Sequence, residues 1–163
     1  MVSIRIIEKA DIEGFYSALS GVVGERKYLR TLSPPSFSNV TDFVCKNIDN
    51  NAAQYVAEIK GKIVGWIDIV PIEIESMRHV GLLGMGVVAE HRGKGIGSEL
   101  INKATNHAWD AGLKRIELEV FSNNAVAINL YKNNGFKIEG TKCNGRYLNG
   151  KYEDVHFMAQ CRI

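Results

Sequence analysis

The most distinctive part of the sequence is one stretch, Val87-Val88-Ala89-Glu90-His91-Arg92-Gly93-Lys94-Gly95-Ile96-Gly97-Ser98. It joins a glycine-rich segment with the pattern of a strand to the clearest helical pattern in the chain. Glycines allow the backbone to curl with its N–H groups pointing inward, and the start of a helix adds roughly half a positive charge. A strand, a glycine turn and a helix N-terminus in succession therefore predict a site for a phosphate or pyrophosphate.

Two well-known phosphate-binding loops do not match this stretch. The P-loop requires GxxxxGK[ST] and the dinucleotide fingerprint requires GxGxxG, whereas the glycines here are Gly93, Gly95 and Gly97. Arg92 and Lys94 add formal positive charge to the turn. The alternative is that the glycines only permit close packing, and the sequence leaves both interpretations open.

The segments that flank the turn predict a mixed α/β sheet. After the turn come a helix (Ile96 to Trp109), a buried strand (Arg115 to Phe121), a helix (Asn124 to Asn134) and two strands joined at Asn149-Gly150. Before it come a strand (Ser3 to Glu8), a helix capped by Asp11, a second helix (Val40 to Ile48), a hairpin (Gln54 to Glu75) hinged at Lys60-Gly61-Lys62, and a strand (His79 to Val88). The predicted order is β-α-α-β-β-β-α-β-α-β-β, and we expect the Ser33-Pro34-Pro35-Ser36 loop with the second helix to recognise the substrate.

The length and charge of the chain narrow its class. Its 163 residues fit one domain, 1–163, and its 20 basic and 18 acidic residues give a net charge of +2. We therefore expect no nucleic acid partner. Cys45, Cys143 and Cys161 form no metal-binding spacing, and no segment approaches the roughly 18 consecutive apolar residues of a membrane span. We expect a cytoplasmic protein with no membrane partner and no metal.

Two motifs resemble a known family. Arg92-Gly-Lys-Gly-Ile-Gly97 matches the [R/Q]-x-x-G-x-[G/A] signature of the GNAT N-acetyltransferase superfamily, and Asn124 to Phe136 resembles its N-x-x-A-x-x-L-Y-x-x-x-G-F helix. The element order also matches over the whole chain. The resemblance implies the α/β (α+β) GNAT fold, a mixed and mostly antiparallel sheet flanked by helices. It also implies acetyl-CoA as the acetyl donor and, as in many members, a homodimer.

The resemblance assigns roles to residues of both motifs. It implies that Tyr131 is the general acid for the departing thiolate, although a helix aromatic packed with Leu130 would look the same in sequence. Asn124 is expected to bind the cofactor, to cap its helix, or both. The implied cofactor-binding residues are Met85, Gly86, Val87, Val88, Arg92, Gly93, Lys94, Gly95, Ile96, Gly97, Ser98, Asn124, Ala127 and Tyr131.

The general base is where the sequence departs from the family. Many members carry a glutamate on the glycine-rich strand, but the matching position here is Leu82. Glu73, Glu75 and His79 lie just upstream and are candidates, yet each also fits a surface position. We therefore favour a proton path through water over a named base.

The resemblance also bears on the acceptor. Arg115 to Ala125 and Gly145 to Met158 resemble bacterial members that acetylate free amino acids or protein N-termini. We expect a small primary amine, in particular a free amino acid, to be the acceptor in a ternary complex. The alternatives are a protein N-terminus and a coenzyme A sensor without turnover. Asp154, Tyr147 and Tyr152 are expected either to line the acceptor pocket or to pack across their hairpin.

Overall fold

The computed structural model describes residues 1–163, which form seven strands and four helices. In chain order the elements are β1 (Ser3–Ile6), α1 (Ile12–Gly24), α2 (Phe37–Asp49), β2 (Ala53–Ile59), β3 (Lys62–Pro71), β4 (Val80–Val87), α3 (Ile96–Asp110), β5 (Arg115–Phe121), α4 (Ala125–Asn133), β6 (Lys137–Leu148) and β7 (Lys151–Cys161). This order confirms the predicted fold class.

All seven strands belong to one sheet, in the order β1-β2-β3-β4-β5-β7-β6. Every neighbouring pair is antiparallel except β4 and β5, which are parallel. The predicted hairpin turns both occur: Lys60-Gly61 joins β2 to β3 and Asn149-Gly150 joins β6 to β7, with positive φ at all four residues. Two residues with positive φ form the turn that matches the twist of the flanking strands.

The parallel pair separates soon after it forms. Val80 to Leu82 of β4 pair with Arg115 to Glu117 of β5, and the pairing stops there. Farther along, β4 follows β3 as far as Val87, and β5 follows β7 as far as Phe121. The two central strands therefore diverge, and a gap opens in the middle of the sheet.

Each face of the sheet buries its own apolar core. On one face α3 packs on the sheet through Leu100, Ile101 and Ala104, together with residues of α4 and β5. On the other face α1 and α2 pack around Val44 and Trp66. Side chains alternate between faces along a strand, so Trp66 faces α1 and α2 while Ile67 faces α3.

Of the two predicted helix caps, the one at Asn124 forms and the one at Asp11 does not, and Ser36 supplies a cap that was not predicted. Ser36 Oγ accepts a hydrogen bond from Asn39 N at 3.1 Å at the start of α2, and Asn124 Oδ1 accepts one from Ala127 N at 3.2 Å at the start of α4. Asp11 makes no side-chain cap for α1. Its carboxylate instead receives two hydrogen bonds from Arg5, both 2.7 Å long, which hold the pKa of Asp11 below its usual value.

No helix of the structure combines the length and apolar character that crossing a bilayer demands.

Candidate active site

The gap between β4 and β5 is the mouth of a large cleft of about 1170 Å³. Two groups of residues line it. The side formed by residues of the α3 face, here the α3 side, includes Met85, Val87, Gly93, Gly95, Ile96, Gly97, Ser98, Asn124, Ala127, Leu130 and Tyr131. The side formed by the opposite face, here the α1 side, includes Val22, Tyr28, Leu29, Arg30, Leu82, Gly84, Gly86, Arg115, Glu117, Glu119, Glu139 and Phe157.

The N-terminus of α3 opens into the cleft without a side-chain cap. Its N-cap residue is Gly95, which has the left-handed φ of 82° and no side chain with which to bond the first turn. The first bond within the helix runs from Glu99 N to Gly95 O, so the N–H groups of Ile96, Gly97 and Ser98 precede the helical ladder. Unpaired amides and the helix dipole together make this turn a site for an anion.

The glycines of the turn serve two different purposes. A Cβ on Gly93 or Gly95 would meet no atom within 4 Å, and both residues have positive φ. At Gly97 a Cβ would lie 2.9 Å from Leu130 Cδ2, so this glycine lets α3 approach α4. Close packing therefore explains Gly97, whereas the curl of the backbone explains the other two.

The two cations of the turn are engaged within the protein. Arg92 Nε donates to Val87 O at 2.8 Å, its other nitrogens bond both carboxylate oxygens of Glu25, and its guanidinium lies 4.7 Å from the centre of the Tyr28 ring. The pKa of Arg92 is raised chiefly by the hydrogen bonds that it donates to Glu25. Lys94 Nζ donates to Glu90 O at 2.9 Å. Main-chain amides, not these side chains, are therefore the free donors of the turn.

Twelve of the fourteen predicted cofactor-binding residues line the cleft, and two do not. Those that line it are Met85, Gly86, Val87, Arg92, Gly93, Gly95, Ile96, Gly97, Ser98, Asn124, Ala127 and Tyr131. Lys94 lies outside because its ammonium turns back to the backbone of Glu90. Val88 lies outside because its N–H bonds Val64 O, which keeps it on the β3 side.

The divergence of β4 from β5 leaves main-chain groups of β4 without a sheet partner. Val80 O and Val88 N both bond to residues on the β3 side. Backbone direction alternates along a strand, so even-numbered residues of β4 face β3 and Leu83, Met85 and Val87 face the gap. Pairing with β5 ends at the bridge between Leu82 and Glu117, which uses the Leu83 N–H, so the amides of Met85 and Val87 point into the cleft unpaired.

Tyr131 lines the α3 side of the cleft. Its side chain is 8% exposed and packs edge-to-face on Phe136, with ring centroids 5.9 Å apart. Burial is the sole cause that raises the pKa of the Tyr131 hydroxyl, to about 12. The hydroxyl is therefore protonated at neutral pH and is able to donate a proton into the cleft.

The α1 side carries charged side chains that the sequence analysis did not identify. Arg115 bonds Glu117 at 2.8 Å and Glu139 at 3.0 Å, and these contacts raise its pKa. Arg30 Nη2 donates a hydrogen bond to Glu119 Oε2 at 2.8 Å. The alternation of Glu117 and Glu119 with buried Leu118 and Val120 in the sequence was the available signal that both carboxylates share one face.

Several predicted acceptor-side residues lie elsewhere. Glu73 is an exposed partner of Lys46 at 2.7 Å, and neither it, Glu75 nor His79 lines the cleft. The reason is that β3 ends at Pro71 and the chain then runs over the outside of the sheet before β4. These three residues were therefore wrong candidates for the base.

The predictions for the final hairpin and the second helix also change. Tyr147 and Tyr152 face each other on β6 and β7 with ring centroids 4.8 Å apart, so cross-strand packing is the correct interpretation. Asp154 Oδ1 accepts from Asn144 N at 2.8 Å and lies outside the cleft. No residue from 33 to 50 lines the cleft, because α2 packs against α1 and β2.

His91 is a cleft residue to which the sequence assigned no role. It lines the cleft beside the glycine turn, and its Nδ1 is buried without a hydrogen-bond partner. No group of three or more His, Cys, Asp or Glu side chains is arranged to hold a metal ion.

The sequence and the fold both match known acetyltransferases. Residues 25–136 match the acetyltransferase (GNAT) family. The chain is 28% identical to spermidine N(1)-acetyltransferase of Vibrio cholerae, over 96% of this chain and 91% of that protein. It is 37% identical to the L-amino acid N-acetyltransferase AaaT of Escherichia coli, over 67% of this chain and 68% of that protein.

A solved structure shares the whole fold. The phosphinothricin acetyltransferase of Sinorhizobium meliloti, in complex with acetyl-CoA, superposes with a TM-score of 0.91 over 98% of this chain and 88% of that one, at 19% identity. The chain thus combines the diverging strands and the uncapped turn with a sequence that matches the family. The chain belongs to the acetyltransferase (GNAT) family and is an acyltransferase of the N-acetyltransferase type.

Proposed function

We propose that the protein transfers the acetyl group of acetyl-CoA to the α-amino group of a free amino acid. One observation carries the proposal: the gap between β4 and β5 leads directly to the uncapped N-terminus of α3. Acetyl-CoA is a long molecule with a pyrophosphate at its middle and a thioester at one end. A cleft with an anion site beside an exposed strand backbone fits both parts.

The residues of the α3 side fit this cosubstrate. The amides from Gly93 to Ser98 would hold the pyrophosphate, and the gap-facing amides of Met85 and Val87 would bond the pantetheine arm. Ala127 and Asn124 would close the other wall. The phosphinothricin acetyltransferase of the same fold, bound to acetyl-CoA, supports this assignment.

Two groups of the chain are suited to the chemistry. Acetyl-CoA supplies a thioester whose carbonyl carbon gains the C–N bond to the amine and loses its C–S bond. A gap-facing amide of β4 would donate to the carbonyl oxygen as it gains charge, an effect commonly worth about 3 to 4 kcal/mol of barrier. The Tyr131 hydroxyl would donate its proton to the sulfur, since its raised pKa keeps that proton in place at neutral pH.

The α1 side is suited to a zwitterionic acceptor. Arg30 has an exposed side chain that forms one ion pair, with Glu119, so its guanidinium is able to exchange that carboxylate for the one of an amino acid. The ammonium group of the same molecule would then stand near Glu117 and Glu119. The L-amino acid N-acetyltransferase of Escherichia coli, 37% identical, supports this class of acceptor.

A polyamine is the second candidate acceptor. Glu117, Glu119 and Glu139 place three carboxylates on the α1 side against the two guanidiniums of Arg30 and Arg115. A net negative wall favours a multiply charged amine. The spermidine acetyltransferase of Vibrio cholerae, which matches nearly the whole chain, supports this class.

An acceptor panel tests the proposal. The purified protein would be incubated with acetyl-CoA and free amino acids, polyamines or short peptides, while thiol release and acceptor mass are followed. We expect acetylated amino acids with kcat/KM well above that of the other classes. If polyamines or peptides are acetylated with the higher kcat/KM, that class takes the place of amino acids in the proposal. Thiol release or coenzyme A binding without any acetylated acceptor would favour a sensor.

Three coarser predictions belong to the same proposal: one catalytic domain from residue 1 to 163, a homodimer and a cytoplasmic location. The seven strands in one sheet support the single domain. The exposed edge strand β6 offers a surface to a second copy, and the thiols of all three cysteines are free, as expected in a reducing compartment. Light scattering on a sizing column tests the dimer.

A further inference from the structure

Asp68 is a titratable group near the cleft to which no role has yet been given. It lies on β3 between Ile67 and Ile69, which face α3, so its own side chain faces α1 and α2. The carboxyl is partly buried and takes part in no ion pair or hydrogen bond of the structure. A carboxyl in an apolar setting without a partner is costly, which calls for an explanation.

The position opposite Asp68 on β4 is a glycine of the cleft wall. Gly84 pairs directly with Asp68, and a Cβ on Gly84 would lie 3.3 Å from Asp68 Oδ1. Gly84 itself lines the cleft. With no side chain at residue 84, nothing of β4 stands between the Asp68 carboxyl and the α1 side of the cleft.

Leu82 lies close to this pair of residues, on β4. It lies two residues before Gly84 on the same face of β4, and it stands where the family resemblance expects a glutamate. Asp68 lies one strand away on β3, on the same face of the sheet, and its register position is diagonal to position 82. The sheet therefore carries a carboxyl next to the position where Leu82 supplies none.

A second unpaired polar group lies beside Asp68 on β2. Gln54 pairs with Asp68 across the sheet and is fully buried. Its Oε1 accepts from Asn47 Nδ2 at 3.0 Å, but its Nε2 has no hydrogen-bond partner. A buried amide donor and an unpaired carboxyl on facing positions form a polar pocket able to order a water molecule.

No nearby charge competes for the proton of Asp68. The charged and titratable groups that pack against this face or line this side of the cleft are Tyr16, Glu25, Tyr28, Arg30, Cys45, Arg92, Arg115, Glu117, Glu119 and Glu139, and α1 and α2 also carry Glu13, Asp42, Lys46 and Asp49. None of them contributes to the shift: burial is the sole cause that raises the pKa of Asp68, to about 7. A base with a pKa near the working pH is the most effective kind.

We infer that Asp68 is the group that receives the proton of the acceptor amine, by way of a water held over Gly84. The inference rests on the proposed N-acetyltransferase function and names the base that the sequence lacks at Leu82. Asp68 receives the proton through this water molecule and does not itself contact the acceptor amine.

The proton balance is complete. The acceptor enters as an ammonium ion, whose first proton passes through water to the Asp68 carboxylate and leaves a neutral amine to attack. As the C–N bond forms and the C–S bond breaks, Tyr131 gives its proton to the sulfur. The second proton of the nitrogen restores Tyr131, and Asp68 releases its proton to solvent, so that one proton is lost in each turnover.

The test compares wild type with Asp68→Asn, using Asp68→Glu as the conservative variant and Asp42→Asn, an exposed acid of α2, as the matched control. In wild type and Asp42→Asn we expect kcat/KM to rise with pH through an apparent pKa near that of Asp68, about 7. Asp68→Asn should lower kcat on the order of 100-fold and should lose this rise of kcat/KM with pH. It should bind coenzyme A as the wild type does. Asp68→Glu should restore part of the rate.

A readout that does not depend on activity comes from carbon-13 NMR of aspartate carboxyls in the free protein. One signal should titrate near pH 7 and be absent from Asp68→Asn. If Asp68→Asn keeps the wild-type rate and pH profile, or if no aspartate titrates near neutrality, the inference is overturned. If the wild type acetylates no acceptor, the proposed function fails instead, and the NMR titration still reports on the carboxyl.

Discussion

The two sides of the cleft are built in different ways. The α3 side comes from two continuous stretches, residues 83–98 and 124–131, and its free donors belong largely to the backbone. The α1 side gathers charged side chains from the loop after α1, from β5 and from β6. The first side recognises features that every acetyl-CoA shares, and the second is free to vary with the acceptor. Changes on the α3 side should therefore affect binding and turnover for all acceptors, and changes on the α1 side should affect them selectively.

The largest effect that we expect comes from Tyr131→Phe on the α3 side. Removing the hydroxyl removes the proton donor for the sulfur, so kcat should fall about 100-fold with every acceptor. The ring still packs on Phe136, and coenzyme A affinity by calorimetry should not change. Tyr147→Phe, an exposed tyrosine outside the cleft, is the control. A normal kcat in Tyr131→Phe would remove this residue from the chemistry.

Gly95→Val tests whether the backbone of the turn binds the cosubstrate. The residue has a φ of 82°, where a β-branched side chain is strained by about 2 kcal/mol, and coenzyme A affinity should fall about 30-fold. Gly61→Val is a matched control, because Gly61 has a φ of 76°, equally open surroundings and a place in the β2–β3 turn outside the cleft. Equal affinity in the two variants would contradict an anion site at Gly95.

The same contrast explains what the sequence could reveal. The element order, both hairpin turns and the cap at Asn124 are local features, and the structure bears them out. The α3 side is also local, since a strand, a turn and a helix start are consecutive in the chain. Twelve of fourteen predicted residues thus surround the cleft. Whether Val88 and Lys94 line the cleft depends on where a backbone or a long side chain turns, which the sequence pattern does not determine.

The α1 side could not be predicted in the same way. Glu119 meets Arg30 across 89 positions of sequence, and Asp68 becomes a cleft neighbour only because β3 pairs with β4 in a register that sets it opposite Gly84. Proximity to the glycine-rich strand in sequence suggested Glu73, Glu75 and His79, but the chain leaves the sheet at Pro71. Strand register and long-range ion pairs, not local propensity, decide this side.

Arg30→Ala separates the two acceptor classes on the α1 side. Loss of one exposed ion pair with a substrate carboxylate should raise KM for amino acids about fivefold, equivalent to about 1 kcal/mol. The change frees Glu119, so KM for a polyamine should fall. Arg78→Ala, which removes an exposed arginine outside the cleft, is the control. Unaltered KM for amino acids would exclude Arg30 as the carboxylate partner.

The smallest effect concerns the free energy of unfolding of Asp68→Asn. The folded pKa of Asp68 is about 7, whereas an unfolded aspartate has a pKa of about 4. Between these values the unfolded chain loses a proton that the folded chain keeps, so the contribution of Asp68 to the free energy of unfolding should fall as pH rises from about 4 to about 7. Asparagine does not ionise. At pH 8 the free energy of unfolding of the variant, relative to wild type, should be about 1 kcal/mol higher than at pH 4.5, after allowance for partial exposure.

Urea unfolding at both pH values measures this difference, with Asp42→Asn as the control. A carboxyl that weakens the fold at working pH is one retained for chemistry. If the difference in free energy of unfolding between Asp68→Asn and wild type is the same at both pH values, Asp68 is an ordinary solvated acid.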